Sequence, residues 1–109
     1  MDHFESLRPL KFVAISAATS GDNTVLAANA DRAYRVLGLQ LSGSGTVTAQ
    51  MKDGASGAVM AAAYLTAGGQ FILPTNLNAY WNQGTKNTAV ILNLSGATTV
   101  QGNLVYQEV

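Results

Sequence analysis

Residues 46–52 alternate with a period of two: Val47, Ala49 and Met51 fall on one side, and Thr46, Thr48, Gln50 and Lys52 on the other. Such alternation predicts a strand with one dry and one wet face. In 88–94 the pattern is different, because Val90, Leu92 and Leu94 share one side while Ala89 and Ile91 share the other. A strand apolar on both sides wants cover on both. In 33–41 the apolar phase changes near Val36 and Leu37, the signature of either a β-bulge or a second buried face.

Turn residues separate these runs. Ser20-Gly21-Asp22-Asn23, Asn29-Ala30-Asp31, Ser42-Gly43-Ser44-Gly45, Lys52-Asp53-Gly54, Ala67-Gly68-Gly69, Asn82-Gln83-Gly84 and Ser95-Gly96 each favour a reversal of the chain. Between them the runs predict eight strands, at 11–19, 24–28, 33–41, 46–52, 58–65, 70–73, 88–94 and 98–107. Short strands at regular spacing predict an all-β sandwich or barrel. Residues 58–65 also suit a helix, because Ala61, Ala62 and Ala63 have high helix propensity. The run is short, is flanked by Gly57 and Gly68 and has no polar face, so a strand is the better assignment.

The chain has 109 residues, 48% apolar, and just six cations and six carboxylates, which supports one folded domain at 11–109 rather than a disordered segment. Zero net charge leaves no basic footprint for nucleic acid, and no apolar run is long enough to cross a bilayer, so neither nucleic acid nor membrane is expected as a partner. There is no cysteine, which removes disulfides and thiolate chemistry. The first residues show neither the basic nor the apolar region of a secretory signal, and synthesis in the cytoplasm is the expectation.

Catalytic groups are scarce. His3 is the single histidine, and of the carboxylates Asp2, Glu5, Asp22, Asp31, Asp53 and Glu108, the three internal ones fall in turn clusters where Asp caps backbone donors. No spacing predicts a carboxylate pair, a Ser-His-Asp site or a metal loop, so no catalytic residue, cofactor or metal ligand is assigned. Gly43-Ser44-Gly45 lacks the lysine and helix of a phosphate loop and reads as a hairpin turn.

Two regions remain as binding candidates. Residues 1–10 form an N-terminal arm, with Phe4, Leu7 and Leu10 at three-residue spacing beside Arg8 and ahead of the body of the domain; the arm either frays or docks on a partner. Tyr80 and Trp81 sit between Pro74-Thr75-Asn76-Leu77-Asn78 and Asn82-Gln83-Gly84. Aromatics in such a loop either pack against the rim of the domain, anchor a protein interface or stack on a sugar ring. Strands apolar on both faces also leave apolar surface on a small domain, and another copy in a ring such as a trimer is the expected cover.

The run FVAISAATSGDNTVLAA at 12–28, YRVLG at 34–38, the Asp53-Gly54 turn, GGQFILP at 68–74, LNLSG at 92–96 and GNLVYQEV at 102–109 resemble small structural proteins of tailed bacteriophages. They are most similar to capsid decoration, or cement, proteins. The resemblance covers nearly all of the chain from Lys11 onward. It implies an eight-stranded β-sandwich of the jelly-roll kind, no enzymatic activity, and a trimer on the capsid surface of the virion that ties neighbouring copies of the major capsid protein together. The alternative from the same residues is a head-fibre or tail knob that binds a host receptor or glycan through Tyr80 and Trp81.

Overall fold

The computed structural model describes residues 9–76 and 79–109. Among them there is no helix, and the strands are β1 (Lys11–Ala17), β2 (Gly21–Leu26), β3 (Tyr34–Gly43), β4 (Val47–Asp53), β5 (Val59–Leu65), β6 (Gln70–Leu73), β7 (Asn82–Gln83), β8 (Val90–Leu94) and β9 (Val100–Glu108). They form two antiparallel sheets. One has the order β1-β9-β3-β6, with β7 also on β3, and the other has the order β2-β8-β4-β5. The β4–β5 and β6–β7 connections stay within one sheet, and those after β1, β2, β3, β5, β7 and β8 carry the chain from one sheet to the other.

Alternation explains which side of each strand is dry. Val47, Ala49 and Met51 are buried as their period predicts, and they share one core with Leu92 and Leu94 of β8 and with Leu41, Val100 and Leu104 of the facing sheet. Ile91, on the opposite side of β8, is also buried, flanked in register by Thr24 and Lys52. Residues 59–65 are a strand rather than a helix, with Ala63 and Leu65 inward. At Gly54, φ of +84° closes the β4–β5 hairpin in a backbone conformation that disfavours a side chain.

Two details depart from the sequence reading, and a third decides between its alternatives. β7 adds a ninth strand, two residues long, that the eight-strand expectation lacks. Asp22 lies within β2 rather than in a turn, and its carboxylate accepts a 2.7 Å hydrogen bond from Asn93. Here Gly21, at φ +91°, makes the turn one residue earlier than the cluster suggested. Finally, the phase change in β3 is a bulge: pairing with β9 passes from Val36↔Tyr106 to Gly38↔Val105, and Leu37 is left over, yet buried.

Candidate functional site

The bulge at Leu37 organises the neighbouring loop. β6 pairs with Leu39–Ser42 of β3, and β7 pairs with Arg35 and Val36 on the same edge. The chain between β6 and β7 therefore leaves the sheet and returns at the bulge. Asn76 N–H donates to the Leu37 carbonyl at 3.2 Å, and Trp81 N–H donates to the Val36 carbonyl at 2.8 Å. Gly38 makes room for this loop, since a Cβ there would strike Thr75. The Trp81 indole N–H closes the neck by donating to the Pro74 carbonyl at 2.9 Å.

Tyr80 and Trp81 are thus fixed at the rim, each about half exposed (48% and 47%). The Arg35 guanidinium lies 4.8 Å from the Tyr80 ring centroid, and its Nε donates to Gln83 Oε1 at 2.8 Å. The cation over the ring and the cross-strand bond together hold Tyr80 in one place, the former contributing about 0.5–1 kcal/mol at an exposed site. Arg35 and Gln83 went unnoticed in the sequence. Arg35 was visible as the outward position between Tyr34 and Val36, but nothing local tied it to Tyr80.

The same face continues across the sheet in register. Its rows are Phe12↔Val105↔Gly38, Ala14↔Asn103↔Gln40↔Ile72 and Ser16↔Gln101↔Ser42↔Gln70. Amides and small residues dominate, with Phe12 and Ile72 as exposed apolar points at 70% and 55%. Phe12 was legible from parity, because Val13, Ile15 and Ala17 take the inner side. Of the arm residues, Leu10 is described and exposed ahead of β1. Phe4, Leu7 and Arg8, like His3, lie outside the described residues.

One end of the interior is polar. Tyr34 and Tyr106 meet edge to face at 5.6 Å, the Tyr34 hydroxyl donates to the Ala27 carbonyl at 2.6 Å, and Lys11 donates to Glu108 at 2.8 Å. A shallow depression lined by Pro9, Lys11, Arg32 and Glu108 lies beside this pair. Burial raises the Tyr34 pKa, with smaller contributions from Glu108 and Tyr106. The hydrogen bond to Glu108 and then its charge raise that of Lys11. Both folded values lie above the unfolded ones, so the stability they contribute is complete at neutral pH and lost as pH rises beyond about 10. Thermal unfolding followed by circular dichroism is expected to show a flat midpoint from neutral pH to about 9.5 and a fall above it. Tyr34→Phe should flatten that fall; an unchanged slope would rule Tyr34 out as its source.

The Asp22 and Asp53 carboxylates serve a strand and a turn. Asp53 accepts from Thr85 N–H at 2.9 Å and from the Thr85 hydroxyl at 2.6 Å, tying the β4–β5 hairpin to the segment before β8. Among the described residues no three His, Asp or Glu side chains gather into a metal site, and no helix is long and apolar enough to cross a membrane. The arrangement presents an amide-rich surface with fixed aromatics at its rim. No family model matches the chain, and neither the curated proteins nor the solved structures provide a match.

Proposed function

We propose that the chain is a non-enzymatic structural protein of a tailed-bacteriophage virion: a capsid decoration protein that binds the outside of the head as an oligomer and stabilises the shell. The fold belonging to this reading is a β-sandwich of the jelly-roll kind. The strand orders β1-β9-β3-β6 and β2-β8-β4-β5 support it, being those of two Greek keys wound into facing sheets. The observation that carries the function is the apolar exposure on both outer faces, Phe12 and Ile72 on one and Val59 and Tyr64 on the other, with Tyr64 82% exposed. Contiguous apolar surface is what marks a binding partner, and in this reading the exposed residues are the points at which shell contacts close. Weak contacts repeated over a symmetric shell add by multivalency, so no single deep pocket is needed.

The test is the copy number of the chain relative to the major capsid protein in purified particles, by quantitative mass spectrometry. Near-stoichiometric abundance is the expected result. A handful of copies, or none, overturns the decoration role.

The fixed pair Tyr80 and Trp81 favours a second reading, a receptor- or glycan-binding knob on a head fibre or tail. Trp81→Ala separates the two. Under the decoration reading it should lower head occupancy or self-association while costing the fold about 1–2 kcal/mol, much of it the hydrogen bond that closes the loop neck. Loss of sugar or cell binding with head assembly intact would favour the knob.

A further inference from the structure

The edges of the two sheets are not alike. β1 is entered through Pro9 and begins at Lys11, β2 carries Asp22 and a bulge between Thr24 and Leu26, and β6 is four residues long and runs into Pro74. These are the devices that keep an edge strand from pairing with another chain. β5, Val-Met-Ala-Ala-Ala-Tyr-Leu, has no charge, proline or glycine. Its sole irregularity is the bulge at Met60, which falls between Ala61↔Met51 and Val59↔Lys52.

The direction of each main-chain group on β5 follows from its neighbours. Ser95 N–H donates to the Thr48 carbonyl at 3.0 Å, so Thr48, Gln50 and Lys52 turn toward β8 while Val47, Ala49 and Met51 turn toward β5. Their partners Leu65, Ala63 and Ala61 therefore bond to β4. Ala62 and Tyr64 turn away from it. The Met60 carbonyl also points outward, where the Asn82 side-chain amide takes it. Among the described residues β5 has a ladder partner on one side alone, which leaves an unfilled ladder at Ala62 and Tyr64.

We propose that this edge pairs with the β5 edge of a second copy, antiparallel about a twofold axis through Ala63, joining two four-stranded sheets into one. The register is chosen by the groups left over. Centred on Ala63, Ala62 of one copy faces the partner's Tyr64 and the reverse, so both copies use every outward N–H and C=O at these two positions in four hydrogen bonds. Centring on Ala62 would instead set Tyr64 against the partner's Met60, whose carbonyl Asn82 already occupies. Side-chain size agrees with the first register: Ala62 lies opposite the partner's Tyr64, Ala61 opposite the partner's Leu65, and Ala63 opposite the partner's Ala63. Each large residue meets a small one, and the 82% exposed Tyr64 ring gains a surface to lie on. This goes beyond the capsid reading and does not depend on it, since it uses the β5 edge alone and puts a twofold pair where the resemblance implies a trimer.

The experiment is analytical ultracentrifugation of the full chain at micromolar concentration, combined with amide hydrogen exchange at Ala62 and Tyr64. The expected result is a dimer with both amides protected. A monomer, a trimer, or fast exchange at both amides overturns the pairing. Ala62→Lys, on the outer side of the edge, sets the two copies' cations diagonally across the twofold, the device by which edge strands refuse a partner, and should weaken the dimer about tenfold or more. Adding Tyr64→Glu places opposite charges across the twofold and should restore the dimer. A dimer unmoved by Ala62→Lys overturns the proposal, and if neither variant folds, hydrogen exchange on the unaltered chain decides. Particle copy number tests the decoration role separately, so failure of one reading is distinguishable from failure of the other.

Discussion

Replacing Gly102 with alanine should cost about 3 kcal/mol of folding stability, the upper end for an inserted methyl, because it would displace backbone rather than a side chain. Gly102 lies within β9, paired with Ile15 of β1 and with Leu41 of β3. A Cβ there would overlap the Gln40 carbonyl oxygen and lie 2.7 Å from its carbonyl carbon. Relief requires β3 and β9 to move apart, and that pair forms the middle of its sheet. Urea unfolding followed by Trp81 fluorescence and far-ultraviolet circular dichroism measures the effect. A cost below about 1 kcal/mol would mean that the two strands separate freely, against the close approach described here.

The second large effect is expected at Leu92. Its side chain is fully buried (0% exposed), and in register it stands between Asn23 of β2 and Met51 of β4. Leu92→Ala removes buried methyl groups and leaves a cavity that both sheets line, at a cost of about 2–5 kcal/mol. For a domain of this size that is a fall in melting temperature of roughly 10 °C or more. Ile72→Ala is the control, because Ile72 is 55% exposed on the outer face and should change stability by about 0.5 kcal/mol or less in the monomer. Equal losses at the two positions would show that the shared core is misassigned.

These two positions differ in how far the sequence announced them. Leu92 was legible, since the alternation of Val90, Leu92 and Leu94 marks one side of a strand, and the same period picked out Val47, Ala49 and Met51. Gly102 was not, because its close approach depends on β3, which is remote in the sequence. β7 was illegible for a related reason: Asn82 and Gln83 have no β propensity of their own and pair only because the bulge at Leu37 leaves the β3 edge open beyond β6. The candidate site divides the same way. Tyr80 and Trp81 stood out by residue type, while Arg35 and Gln83, which fix Tyr80, became visible once β3 and β7 were side by side.

The position of β9 between β1 and β3 has a consequence for how the molecule is made. A chain emerging from the ribosome can form the β4–β5 hairpin from neighbouring residues, but the sheet containing β1 and β3 lacks the strand that joins them until the last residues of β9 are free. Pairing over such sequence separation closes long loops and makes folding slow. The nascent chain must therefore hold Phe12, Leu39 and Leu41 without their final neighbours until β9 has been made. Assembly into any larger particle can begin only once β9 is in place, which puts subunit folding and particle building in a fixed order in time.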